Sequence, residues 1–343
     1  MPMKKSDAKI RAGVVGVGYV GRFHAAKYAQ SRHADLTAVV DIRPERARST
    51  AQKFHTRDFT HQAQIYDMVD AVSIATPTNC HYEIAMDFLD RSIDVLLEKP
   101  MTLTVEQADD LIRKASKNDC ILQVGHLERF NPAIRGIKSI LNSPLFFESH
   151  RLSLFKTRST DVDVVLDLMI HDIDIIMSFV RSDVVNIEAI GIPVLSSLID
   201  IANVRLRFAN GCMANLTASR ISDKEMRKTR IFQPDAYLSI DYVMREVLIY
   251  RKSTENSPDG MPRIVVDKRN IPTTDSLQDQ IEAFLHSVAT RTPPEVSGVE
   301  GRRALEVANN IIESIQESMA WARRAREDSV LSTPKNRSGT RKQ

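Results

Sequence analysis

Up to residue 125, short uninterrupted apolar runs alternate with stretches whose apolar residues recur at helical spacing. Residues 10–17, 36–40, 71–75, 93–97 and 121–124 are the runs and predict strands. Between them, Phe23, Ala26, Tyr28 and Ala29, and then residues 79–90 and 105–118, predict helices. Thr104 to Gln107 has the form of a capping box that starts the last of these. Strands apolar along their whole length, separated by helices, predict a parallel sheet covered on both faces. From Phe146 the texture changes to strand-like segments at 147–155, 185–191, 201–208, 213–218, 237–242 and 247–250, with Ala209-Asn210-Gly211 as a hairpin turn. A closing helix over 304–321 places Leu305, Ala308, Ile311, Ile312, Ile315 and Met319 on one face.

These patterns predict an α/β protein. A doubly wound parallel sheet occupies residues 1–125. An α+β domain with a largely antiparallel open sheet covers 126–325, and 326–343, rich in charge, Ser, Thr and Pro, forms a disordered basic tail. A length of 343 residues suits two such domains. The net charge of +3 does not change the picture, because residues 1–11 carry +3 and residues 331–343 carry +4, so the body between them is acidic. That distribution predicts no nucleic-acid partner. Cys80, Cys120 and Cys212 are too few and too widely spaced for a disulfide framework or a metal knuckle. No apolar stretch approaches the roughly 18 residues of a membrane span, and residues 1–11 lack an apolar leader core. A cytoplasmic, soluble protein with no membrane partner is the expectation.

The chemistry begins at the first strand, which runs into Gly16-Val17-Gly18-Tyr19-Val20-Gly21 and then a helix. In a dinucleotide-binding unit Gly16 makes the tight turn, Gly18 lets the backbone approach a pyrophosphate, and Gly21 permits close helix packing; Tyr19 and Val20 lie between them. Asp41 ends the second strand, twenty residues after Gly21, where the ribose-binding acid belongs. Its carboxylate would repel a 2′-phosphate and so favours NAD, whereas neighbouring Arg43 could pair with one and keeps NADP open. Together these residues predict a Rossmann domain. In such a sheet the turn Thr76-Pro77-Thr78-Asn79-Cys80-His81 lies beside the nicotinamide half of the cofactor, although Asn79 reads first as a helix cap.

Glu98-Lys99-Pro100 follows another strand, so Lys99 emerges at a strand's carboxyl end, where open α/β sheets bind ligands. Gly125-His126-Leu127-Glu128-Arg129-Phe130 and the capping pair Asn131-Pro132 come after the strand at 121–124, with His126 open to loop packing or a substrate contact. A helix inserted among the later strands carries Asp167 and His171, four apart and expected on one face. That spacing fits either a surface ion pair or an imidazole whose pKa a carboxylate raises and whose orientation it sets. Asp167, His171, Asp172 and Asp174 cannot all point inward from one helix, so no metal site is expected.

With these motifs in this order the chain resembles the Gfo/Idh/MocA oxidoreductases over nearly everything except the two tails. The resemblance implies a catalytic lysine, aspartate and histidine at Lys99, Asp167 and His171, with NAD bound by the glycine turn, Asp41, Arg43, Thr76, Pro77, Asn79, His81 and Glu98. It also implies a homo-oligomer, dimer or tetramer, formed through the open sheet. Within the family, residues 126–132 and 167–174 are most similar to those of enzymes that oxidise C3 of UDP-N-acetylglucosamine ahead of a PLP aminotransferase in lipid A synthesis. By that likeness the substrate is a UDP-sugar, for which His126, Arg129, Asn131, Lys156, Arg158 and Arg220 are the binding candidates. A dehydrogenase of free sugars or inositol-like polyols, and a dinucleotide sensor without turnover, are the alternatives. Imidazole titrates near neutral pH, so His171 is expected as the base and Lys99 as stabiliser of the developing alkoxide; a desolvated Lys99 would reverse the roles.

Overall fold

The computed structural model describes residues 8–155, 162–256 and 261–331. Six strands, β1 (Ile10–Val15), β2 (Ala34–Val40), β3 (Arg57–Phe59), β4 (Ala71–Ile74), β5 (Asp94–Glu98) and β6 (Leu122–Gly125), form a parallel sheet in the order β3-β2-β1-β4-β5-β6. Val72, Ile74, Val95 and Leu97 pack into an apolar core on one face, and Ala12, Val14, Val39 and Leu96 into another on the other. Burial on both faces is why these strands read as continuous apolar runs. Helices α1 (Gly21–Gln30), α2 (Pro44–Phe54), α3 (His81–Leu89) and α4 (Val105–Lys117) connect them. Thr104 caps α4 by accepting from the Gln107 amide.

After the short α5 (Pro132–Ile137) comes β7 (Phe146–Leu152), then α6 (Ile170–Val180) and seven more strands. These are β8 (Val184–Ile192), β9 (Ile201–Phe208), β10 (Met213–Ser219), β11 (Met226–Gln233), β12 (Ala236–Asp241), β13 (Glu246–Asn256) and β14 (Pro262–Asn270), in a sheet ordered β14-β13-β12-β11-β7-β10-β9-β8. All its pairings are antiparallel except β7 with β10. Along β9, Ala202, Val204, Leu206 and Phe208 are buried and alternate with exposed Asn203, Arg205 and Arg207, the signature of a sheet covered on one side. Its covered face packs on α6 and the long α8 (Gly298–Leu331). The other face carries a ladder of stacked rings, Phe146–Phe232–Tyr237–Tyr250, with centroids 4.7–5.5 Å apart. The expected hairpin joins β9 to β10, with Gly211 at φ +87°.

The sequence pattern and the structure part company at the C-terminal end. A helix not expected from the pattern, α7 (Ser276–Thr290), returns to the first sheet, where Ile281, Phe284, Leu285 and Val288 join the core of Ala12, Val14, Tyr28 and Leu96. Burial of each such side chain stabilises by roughly 1.5–3 kcal/mol, enough to hold the excursion. The 126–325 segment therefore contributes to both cores. Helix α8 also outruns the expected 304–321 and passes residue 326, where a disordered tail was expected to begin; residues 332–343 lie outside the described residues.

Candidate active site

The glycine turn is built as the motif requires. Gly16 has φ +84°, and a Cβ there would stand 2.8 Å from the Ala75 carbonyl oxygen. A Cβ on Gly21 would fall 1.8 Å from the Gly16 oxygen, so only glycine lets α1 start this close to β1. Above Gly18 the space is open, with Arg46 Nη1 its nearest neighbour at 3.9 Å. Asp41 ends β2 as a largely buried carboxylate: Oδ2 accepts from the Val17 amide at 3.1 Å and Oδ1 from the Arg43 amide at 3.0 Å. Arg43 itself is exposed, as are Tyr19 and Val20 at the mouth of the turn. The buried Thr76 hydroxyl has no protein partner. An open glycine cradle, a ribose-height carboxylate and an orphaned hydroxyl at the nicotinamide end fit a dinucleotide.

The 76–81 turn differs from expectation in two side chains. Asn79 does not cap a helix; it is exposed inside a 3-10 turn, and its Oδ1 has only the Cys80 thiol at 3.6 Å. His81, expected at the cofactor, is buried with Nδ1 3.0 Å from the Pro100 carbonyl and Nε2 2.9 Å from the Thr76 carbonyl. It braces the two loops against each other. Burial, opposed by those carbonyls, lowers its pKa.

Glu98 ends β5 and turns its carboxylate inward, where Oε1 lies 3.1 Å from His24 Nε2. The ring nitrogen lies close to the carboxylate without forming an aligned hydrogen bond. His24 continues to Ser73 and Ser73 to Tyr28, at 3.0 and 2.8 Å. Burial would raise the Glu98 carboxyl, but His24, Lys99 and His81 together hold it below the usual range.

Lys99 crosses to the second domain. Its Nζ donates to the main-chain carbonyl of Asp167 at 2.6 Å and lies 3.4 Å from that residue's Oδ1. Sequence spacing placed Asp167 and His171 on one face of an α-helix, but residues Val165–Met169 form a π-helical turn before α6 begins. Among the described residues the Asp167 carboxylate makes its polar contact with Lys99. The expected effect on His171 is likewise reversed. Its pKa falls well below 6.5, first through burial and then through the charges of Lys99, Arg151, His126 and Arg227. His171 is thus a neutral imidazole near pH 7, with Nδ1 buried and unpartnered. Beside it, His126 is buried, has no partner on either ring nitrogen, and is lowered by burial.

The basic candidates are mostly engaged. Arg129 Nε meets buried Asp174 at 2.8 Å and its Nη2 meets Glu300 at 3.1 Å. Arg220 meets fully buried Asp200 at 2.8 Å and the Val162 carbonyl at 2.8 Å. Both charges are met by carboxylates in this arrangement. Asn131 caps α5 through the Ala133 amide and donates to Glu128. Lys156 and Arg158 lie outside the described residues.

Sequence reading missed the central cation. Arg151 points inward from β7, pairs bidentately with Asp172 at 2.9 and 3.0 Å and reaches Glu128 at 3.1 Å. Its signal was the alternation Phe147, Ser149, Arg151, which puts an arginine on the buried side of a strand. Asp167, Asp172 and Asp174 therefore turn to three different cations.

Residues 10–126 match the family described as oxidoreductase family, NAD-binding Rossmann fold, and residues 135–236 match the GFO/IDH/MocA C-terminal domain. The chain is 37% identical to a UDP-N-acetylglucosamine 3-dehydrogenase of Acidithiobacillus ferrooxidans, over 87% of this chain and 95% of that protein. A solved structure of the dehydrogenase so named from that organism superimposes with a TM-score of 0.85 at 35% identity, over 90% of this chain and 99% of that one. A myo-inositol 2-dehydrogenase of Thermotoga maritima is 24% identical over 90% of this chain and 97% of that protein. A scyllo-inositol dehydrogenase from Lactobacillus casei, solved with NAD(H) and scyllo-inositol, shares the fold at TM-score 0.76 and 20% identity, over 91% of this chain and 98% of that one. A glycine cradle and Asp41 for the dinucleotide, two matched domains and a relative of this identity along nearly the whole chain carry one conclusion: the protein belongs to the NAD-binding Gfo/Idh/MocA oxidoreductase family.

Proposed function

We propose that the protein oxidises the C3 hydroxyl of UDP-N-acetylglucosamine to the 3-keto sugar nucleotide. The observation that carries this reading is the 37% identity to the Acidithiobacillus enzyme, against 24% for the inositol dehydrogenase. Bound NAD would supply the acceptor for the hydride leaving C3. His171, neutral near pH 7, takes the hydroxyl proton; its buried Nδ1 has no partner among the described residues. Lys99, held by the Asp167 carbonyl, would donate to the developing alkoxide oxygen. His126 acts on His171, and Lys99 acts on the Glu98 carboxyl, so both lie close to these groups.

A free-polyol dehydrogenase is favoured by one observation: Arg129 and Arg220 are occupied by carboxylates, which removes two of the cations meant for a diphosphate. The two readings separate in one experiment. Purified protein is incubated with NAD and UDP-N-acetylglucosamine, the ketone is trapped with hydroxylamine, and the product is identified by mass and NMR. A 3-keto adduct is expected. No adduct and no binding of any UDP-sugar, together with ready NAD reduction by inositol, would install the polyol reading.

The same reading puts the protein in the cytoplasm, ahead of a PLP aminotransferase that converts the ketone to a 3-amino sugar for lipid A. No helix among the described residues is long and apolar enough to cross a membrane. We also assign a homo-oligomer contact to the uncovered sheet face, where the stacked ladder from Phe146 to Tyr250 offers an aromatic surface.

A further inference from the structure

The occupied arginines leave a question of charge: a UDP-sugar brings a diphosphate, and two of the four expected cations, Arg129 and Arg220, are already met by carboxylates. A diphosphate hangs from C1, two carbons from the reacting C3, so its partner belongs within about a sugar ring's width of His171. Strand register puts one more cation on the same face of the sheet. Arg227 on β11 pairs directly with Arg151 on β7. Residues directly opposite in an antiparallel pair send their side chains to the same face. Arg151 points toward α6, where it grips Asp172, the neighbour of His171. Arg227 therefore stands on the site face of the sheet, one strand farther out.

The two arginines differ in what they are free to do. Arg151 is 4% exposed and neutralised by Asp172 and Glu128, whereas the Arg227 side chain is 42% exposed. Arg227 pairs with Glu225 at 3.1 Å, itself 48% exposed. Such surface pairs contribute little and exchange readily. The charge of Arg227 also reaches into the site, acting on both His171 and Glu128.

We propose that Arg227 is the anion subsite of the cleft and takes the substrate's diphosphate, releasing Glu225 when it does. The guanidinium fork matches paired phosphate oxygens, which an ammonium in the same place would not. This rests on the UDP-sugar reading. It also gives that reading an exposed cation among the described residues, where Arg129 and Arg220 are held by carboxylates.

The test is titration calorimetry on the full chain with UDP-N-acetylglucosamine and with UDP, for wild type, Arg227→Ala, Arg227→Lys and Glu225→Gln. Circular dichroism and NAD titration serve as fold controls, and Arg227→Gln replaces the alanine variant if that does not fold. Wild type should bind both ligands. Arg227→Ala should lose at least about tenfold for both, the scale of a charge-assisted contact. Arg227→Lys should recover only part, Glu225→Gln should bind at least as tightly as wild type, and NAD affinity should hold throughout. Wild-type binding that Arg227→Ala leaves intact overturns the subsite while the UDP-sugar reading stands. Failure of wild type itself to bind UDP or the UDP-sugar overturns that reading first, and the subsite with it.

Discussion

Lys99 Nζ is bonded to the main-chain oxygen of Asp167 at 2.6 Å, with that residue's carboxylate more distant at 3.4 Å. The lysine is therefore positioned chiefly by a group that no side-chain substitution removes. The π-turn at Val165–Met169 presents that oxygen and turns Asp167 to Lys99.

Asp167→Ala should therefore be milder than the loss of either neighbour. Lys99→Met and His171→Ala should each reduce kcat by at least about 100-fold, the lower range for positioned acid-base groups. Asp167→Ala keeps the carbonyl and forfeits only the longer contact, so a fall of less than about tenfold is expected, with NAD binding unchanged. Steady-state turnover of the three variants decides it. A loss in Asp167→Ala as deep as in His171→Ala would mean that the carboxylate acts on the imidazole after all.

His171 has its pKa depressed by burial and by the cations around it, Lys99 foremost. A base must be neutral to accept a proton, so activity is present above its pKa and lost as pH falls through it. The acid limb of kcat/KM should lie below the ordinary histidine value of roughly 6.5. Lys99→Met removes one of the repelling charges, and the His171 ring should then titrate at higher pH by NMR. An acid limb clearly above 6.5, or no upward movement in Lys99→Met, contradicts the assignment.

What was legible in the sequence was local. The strand runs, the glycine turn and Asp41 follow from short-range rules, because a tight turn, a close helix start and a strand end each restrict residue type within a few positions. The substrate cations were not legible in the same way. Arg129 and Arg220 are defined by Asp174, Glu300 and Asp200, which stand 20 or more positions away in the chain, and nothing near either arginine announces its partner. Helix α7 shows both sides. Ile281, Phe284, Leu285 and Val288 have helical spacing, but their burial against Ala12 and Val14 is a long-range fact. The Asp167–His171 pair failed for a similar reason. Spacing says which residues share a helix face, but the carboxylate turns to Lys99, 68 positions away in the chain, a partner that no local rule names.

Asp41 has two tasks, which bears on how cofactor choice should be tested. Besides the ribose role proposed for it, its two oxygens accept the Val17 and Arg43 amides, tying the glycine turn to the end of β2. Asp41→Ala would remove both ties and weaken any dinucleotide, so a fall in NAD affinity alone says nothing about selectivity. Asp41→Asn keeps the shape and one acceptor oxygen while removing the negative charge that repels a 2′-phosphate. Arg43, exposed beside it, can then pair with that phosphate. Fluorescence titration with NADH and NADPH should show wild type preferring NADH. Asp41→Asn should reduce that preference by at least about tenfold, the scale of one charge-assisted contact. Asp41→Asn, Arg43→Ala should restore part of it by withdrawing the new partner of the 2′-phosphate. Tighter NADPH binding by wild type, or an unchanged ratio in Asp41→Asn, would show that discrimination resides elsewhere in the cradle.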